Sequence, residues 1–161
     1  MAAWASPAPR LAFRAVLALL ATVAAAAALA TPPAERPSPT HWDWPAHGTI
    51  TTPFVVGGHA GIDIGILRSL DVRAAAPGRV RFVGEPAGFE GYGKLVLVDV
   101  GGRYQTLYAH LSRIAVRTGD EVAGGEKLGV AGCTGWCTGT HLHFEVRLHG
   151  QAIDPIRIPF R

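Results

Sequence analysis

Lysine is scarce: Lys94 and Lys127 are the only two in 161 residues, and no run of basic residues follows the first thirty positions. Without a basic stripe or patch, a nucleic-acid partner has no electrostatic footprint to rest on. Cysteine is limited to Cys133 and Cys137. Two thiols without a second pair make a poor zinc knuckle. From His41 onward no stretch of about 12 residues keeps a helical hydrophobic period, which argues against a helical bundle. Also missing are a G-x-S-x-G nucleophile elbow, an H-E-x-x-H helix and a G-x-x-x-x-G-K-[ST] phosphate loop, so three common catalytic plans drop out.

What is present begins with a leader-like pattern. Arg10 and Arg14 precede an apolar, alanine-dominated run from Ala15 to Ala30 that ends in Ala28-Leu29-Ala30. This reads as a secretory signal over residues 1–30. The run is shorter than the roughly 20 apolar residues of a membrane span, although an uncleaved leader would leave the chain membrane-anchored. Removing it takes two arginines and no acid, so the formal charge falls from +3 to +1. Residues 31–40, T-P-P-A-E-R-P-S-P-T, read as a proline-rich linker. Residues 41–161 have the length of one modest domain with a single core.

That domain reads as all-β. Short runs rich in β-branched and aromatic residues alternate with Gly and Pro, and strands are expected at 49–52, 79–84, 94–100, 103–110, 127–131 and 142–148. Gly101-Gly102 lies between two of them and predicts a tight antiparallel hairpin, because both positions tolerate positive φ. His149-Gly150 predicts another, followed by a short strand over 151–154. Strand side chains alternate between faces. His141, His143, Glu145 and Arg147 therefore share one face of the 142–148 strand, and Leu142, Phe144, Val146 and Leu148 the opposite, core-facing one. The same counting puts Tyr104, Thr106, Tyr108 and His110 on a common face.

Four of the seven histidines sit in three short glycine- or polar-flanked contexts, G-G-H-A-G-I-D-I, L-Y-A-H-L and G-T-H-L-H-F-E-V. Two imidazoles on one strand face, with an H-x-x-x-D elsewhere, point to a metal site. Imidazoles and a carboxylate suit zinc, and three protein ligands leave a fourth position for water or substrate. His41, His47 and His149 lie outside these contexts and read as surface or turn residues. Cys133 and Cys137, four apart in an exported chain, are expected to pair as a local clamp.

The three histidine contexts, in this order and spacing, resemble the lysostaphin-type, LytM-like zinc endopeptidases of peptidoglycan. The likeness extends from Trp44-Pro45 to Asp154-Pro155 and takes in A-A-A-P-G-R-V, G-Y-G-K-L-V and G-D-E-V-A-G-G-E-K-L-G. The resemblance implies a compact antiparallel β-sandwich, a duplicated hybrid motif with a loop-walled groove for an extended peptide. It implies one zinc ion held by His59, Asp63 and His143, with His110 and His141 as the catalytic histidines. A peptidoglycan peptide is the implied substrate, a monomer the expected state, and an extracellular or wall-associated location follows. Some relatives have lost ligands and act as non-catalytic activators of cell-wall amidases; all five positions are filled here. The loop before His141 departs from the usual pattern in carrying Cys133, Trp136 and Cys137, which predicts a disulfide-braced groove wall. Trp136 and Tyr108 are candidates to face substrate, each with packing as the alternative, and Tyr108 and Glu145 are candidates to support the metal ligands, with a solvated carboxylate as the alternative for Glu145. The segment R-T-G-D-E-V-A-G-G-E-K-L-G-V also resembles half of a biotinyl or lipoyl carrier, but neither lysine has the flanking sequence of a carrier's hairpin tip.

Overall fold

The computed structural model describes residues 35–161, so the expected leader at 1–30 and the first residues of the expected linker lie outside it. Eleven strands follow in chain order: β1 (Thr49–Thr52), β2 (Ile62–Gly65), β3 (Asp71–Arg73), β4 (Gly78–Gly84), β5 (Leu95–Gly101), β6 (Tyr104–Ala109), β7 (Leu111–Ile114), β8 (Glu121–Val122), β9 (Lys127–Ala131), β10 (Leu142–Leu148) and β11 (Gln151–Ile153). The 3-10 turns Glu90–Tyr92 and Pro155–Arg157 are the helical elements among the described residues.

The strands form two antiparallel sheets. The larger runs β1-β2-β10-β6-β5-β4-β8, with β11 also on β10, and the smaller runs β3-β9-β7. β10 organises the larger sheet: its first half pairs with β2 on one side, its second half with β11, and nearly its whole length with β6 on the other side. One core lies between the sheets. Ile62 and Ile64 of β2 and Leu142, Phe144 and Val146 of β10 join Val72, Leu111, Leu128 and Ala131 of the smaller sheet in a single buried cluster. The opposite face of the larger sheet carries a second apolar cluster, with Leu95, Leu107 and Ala109 packed by Phe82, Phe89 and Tyr92. The all-β expectation holds, and of the apolar face assigned to the 142–148 strand Leu142, Phe144 and Val146 lie in the core, while Leu148 is half-buried outside it.

Three differences have local causes. The 95–109 hairpin turns at Gly102-Arg103, one residue later than expected, because Gly101 (φ 86°) pairs with Tyr104 beyond a register shift. Its two turn residues have φ of 56° and 65°, the left-handed pair that matches strand twist. The short strands β2, β3, β7 and β8 give too little alternation to stand out in sequence. Residues 35–40 have no regular secondary structure, as expected of a linker, yet are docked on the domain: Gly102 N–H donates to the Arg36 carbonyl at 2.7 Å, and Arg36 pairs with Glu121 at 2.9 Å.

Candidate metal and catalytic site

The site begins with strand register. His143 on β10 lies directly opposite Asp63 on β2 and Ala109 at the end of β6, so pairing alone brings the first two groups together. His59 comes from the loop leading into β2. Its Nδ1–H donates to the Pro53 carbonyl at 2.9 Å, which turns Nε2 toward Asp63 Oδ1 and His143 Nδ1, each 3.1 Å away. His143 Nδ1 is 2.9 Å from the same Asp63 oxygen. Gly61 makes this approach possible: a methyl group there would overlap the Phe144 carbonyl and lie 2.9 Å from Glu145 Cγ.

The three donor atoms therefore form a triangle with sides of 2.9 to 3.1 Å. Ligands about 2.0–2.1 Å from a tetrahedral centre stand about 3.3 Å apart, so a small outward adjustment, each donor moving away from the other two, separates this triangle from one face of a zinc site. Two imidazole nitrogens and a carboxylate oxygen are also the donor types zinc accepts. His59, Asp63 and His143 thus fit a metal ion in both chemistry and spacing.

A buried carboxylate stands behind His143. Glu145 is 0% exposed; its Oε1 accepts from His143 Nε2–H at 3.1 Å and from the Tyr92 hydroxyl at 2.6 Å, and its Oε2 from Arg147 Nε–H at 2.6 Å. Both carboxylates are ionised against the cost of burial. Burial works to raise Asp63, but hydrogen bonds from His143 and Thr52 and the nearby imidazoles outweigh it and hold the carboxyl at about 2. Burial likewise opposes ionisation of Glu145, and its three donors overcome it, leaving the carboxyl below its ordinary value. Burial works to lower His143, but Asp63 and Glu145 outweigh it and raise the ring above its ordinary value, and Tyr92 is pushed up to about 12 by burial and by Glu145.

His110 and His141 complete the cluster. Their ring centroids are 4.6 Å apart, and that of His110 is 5.9 Å from His143. His141 Nε2 is 3.8 Å from Asp63 Oδ1. Burial lowers His110. Its Nδ1–H donates to the Thr134 carbonyl at 2.8 Å, and that of His141 to the Gly139 carbonyl at 2.7 Å. All five expected residues line a groove of about 550 Å3, walled by Gly58 and Ala60 on one side and by Phe89, Tyr92, Trp136 and Thr138. His41, His47 and His149 do not line it.

Two expectations need correction. Tyr108 neither faces substrate nor touches a metal ligand. It is fully buried beside Phe144, and its hydroxyl accepts from Ala75 N–H at 2.8 Å and donates to Thr106 Oγ1 at 3.0 Å. His110 does not keep the face of Tyr108: its φ of 59° ends the strand's alternation and swings the ring to the groove side. Cys133 and Cys137 are bonded, with Cα atoms 5.5 Å apart. Trp136, between them, is 84% exposed at the groove wall, its ring over Gly91. Sequence reasoning passed over Tyr92, although the G-Y-G that contains it was a visible motif. It also left Glu145 open between support and solvent, where parity alone had put it beside His143.

Comparison with known proteins identifies the family. The pattern of peptidase family M23 matches residues 57–155. The murein hydrolase activator NlpD of Escherichia coli is 36% identical over 118 residues, which cover 72% of this chain and 30% of NlpD. The DD-carboxypeptidase/endopeptidase Mpg of Neisseria meningitidis is 41% identical over 100 residues, covering 62% of this chain and 22% of Mpg. The chain thus spans less than a third of either relative. The solved structure of the antimicrobial peptidase lysostaphin from Staphylococcus simulans superposes with a TM-score of 0.57 at 29% identity, over 68% of this chain and 46% of that one. A match over most of the described residues, on the fold and around the convergent histidines, establishes that the chain belongs to peptidase family M23.

Proposed function

We propose that this chain is a zinc-dependent endopeptidase that hydrolyses peptide bonds in peptidoglycan cross-links or stem peptides at the cell envelope. The observation that carries the proposal is the convergence of His59, Asp63 and His143 on one point of a groove that also holds His110 and His141. A zinc ion bound there would supply Lewis acidity and bring the pKa of a water molecule toward about 7. The chain's own groups do the rest. His110 and His141 each donate through Nδ1 to a carbonyl, so in the neutral ring Nε2 is the acceptor. One of the two takes the proton of the attacking water, and the other stabilises the developing oxyanion or protonates the leaving amine. Burial of His110 favours its neutral, proton-accepting form at physiological pH. Asp63 and His143 are oriented by neighbouring strands, and Glu145 holds the ring of His143.

A second reading follows from the likeness to NlpD, whose name describes an activator of murein hydrolases. In that role the groove would bind a partner without chemistry, and neither the donor triangle nor the two further imidazoles would be required. Purified peptidoglycan separates the two readings. The protein loaded with zinc is expected to release soluble muropeptides, a chelator to abolish release, and His141→Ala to reduce it by 100-fold or more. Absence of release by the loaded protein, with amidase activation intact, would establish the activator reading instead.

A further inference from the structure

Both groove histidines outside the metal triangle take their orientation from one loop. Residues 132–141 leave β9 and return to β10 through an antiparallel bridge between Gly132 and His141, with His141 N–H donating to the Gly132 carbonyl at 3.2 Å. Within that loop, the Thr134 carbonyl accepts from His110 Nδ1 and the Gly139 carbonyl from His141 Nδ1. A carbonyl can only accept, so each contact fixes Nδ1 as the protonated nitrogen and leaves Nε2 with the lone pair. The metal ligands are set elsewhere: His59 by Pro53, His143 by Glu145, and Asp63 by its place on β2.

The loop itself is a poor candidate to hold still. Its sequence from Gly132, G-C-T-G-W-C-T-G-T, has three glycines, and Cys133, Gly135, Trp136 and Thr138 to Thr140 are exposed. What pins it is local. Thr134 Oγ1 donates to the Leu111 carbonyl at 3.0 Å and accepts from Lys94 N–H at 2.9 Å, Trp136 N–H donates to the Gly91 carbonyl at 2.8 Å, and Cys133 is bonded to Cys137. Gly135 (φ 72°) sits so close to Gly91 and Gly93 that any side chain would collide with their backbones. The same turn anchors the backbone of His110, whose N–H donates to the Tyr92 carbonyl at 2.9 Å.

We propose that the Cys133–Cys137 bridge is a positioning device for catalysis: by bracing loop 132–141 from within, between residues 133 and 137, it holds the Thr134 carbonyl and, two residues beyond the bridge, the Gly139 carbonyl where they set one tautomer in both His110 and His141. Opening the bridge releases that setting and leaves the metal triangle untouched. The inference rests on the peptidase reading for its kinetic consequence, but its structural consequence is independent of it.

The test uses the zinc-loaded, folded protein in three forms: oxidised wild type, wild type reduced after folding, and the variant Cys133→Ser/Cys137→Ser. A trialkylphosphine is the reductant; phosphorus gives two electrons to the S–S bond, water supplies the oxygen of the phosphine oxide and the two protons, and two thiols result. Long-range 15N–1H spectra of the imidazoles at pH 8 are expected to show the Nδ1–H tautomer for both histidines in the oxidised form. In both opened forms a mixture richer in Nε2–H should replace it. Muropeptide release is expected to fall at least 10-fold in kcat, with zinc affinity changed less than 3-fold. Unchanged tautomers in both opened forms overturn the proposal, whatever the activity, and so does a loss of zinc affinity parallel to the loss of turnover. If the oxidised protein releases nothing, the peptidase reading fails by itself and the tautomer spectra still decide the positioning role.

Discussion

His143 carries two jobs on one ring, and the division of labour between its nitrogens depends on Glu145. Nδ1 faces the metal triangle and Nε2–H donates inward to the buried carboxylate. That second contact keeps the lone pair on the metal side and raises the basicity of the ring. Arg147 and Tyr92 supply the other hydrogen bonds that allow a carboxylate to be charged at 0% exposure. Glu145→Gln preserves shape but removes the charge. It is expected to weaken zinc binding by about 10- to 100-fold, measured by competition with a chromophoric chelator, while the fold persists. Glu145→Ala is more severe, because it strands a guanidinium, an imidazole N–H and a hydroxyl together. About 3 kcal/mol or more of stability is expected to be lost in urea denaturation. A change in stability without any change in zinc affinity would mean that Glu145 only fills space.

At the scale of elements, the glycine before β2 decides whether the triangle closes. Gly61 lies between His59 and Asp63 against the Phe144 carbonyl of β10, where a methyl group cannot fit. Gly61→Ala is therefore expected to push β2 from β10, costing about 1–3 kcal/mol of stability in denaturant titration together with a loss of zinc affinity. β10 was legible in the sequence because its period-2 pattern runs unbroken for seven residues, with Leu142, Phe144 and Val146 buried in the core as alternation requires. That same pattern put His143 and Glu145 on one face. Parity failed at the end of β6, where His110 adopts a left-handed backbone that no periodicity announces and Tyr108 turns out to face the core. His59, His110 and, through H-x-x-x-D, Asp63 stood out by their polar, glycine-flanked contexts, and the resemblance to peptidoglycan endopeptidases supplied their expected roles, since a loop histidine and a four-residue strand give no periodic signal. The carbonyls of Thr134 and Gly139 were beyond reach for another reason: a backbone acceptor has no letter in the sequence.

For the whole molecule, the three donors come from segments as far apart in sequence as residues 59 and 143, so a metal ion bound there would act as a cross-link on the larger sheet. The metal-free fold has a substitute for that cross-link. Burial opposes protonation of His143, but Asp63 and Glu145 together raise the ring above its ordinary value of 6.5. A group with a raised folded pKa contributes stability that is fully present below 6.5 and disappears as pH rises through the folded value. Asp63, at about 2 in the fold, stays ionised throughout this range and keeps its side of the pair. With a metal ion held as proposed the sign would reverse, because Nδ1 would have to lose its proton to bind and protons would compete with the ion as pH falls. The stabilisation by zinc should therefore be small at pH 5.5 and large at pH 8. At a free zinc concentration one hundred times the dissociation constant at pH 8 it amounts to about 2.7 kcal/mol. Parallel thermal melts of loaded and chelated protein at the two pH values measure this difference directly. The gap between the melts is expected to widen with pH, the chelated protein losing part of its own stability as His143 deprotonates. A gap that stays constant from pH 5.5 to 8 would show that His143 is not a ligand, and with it the donor triangle would lose its central member.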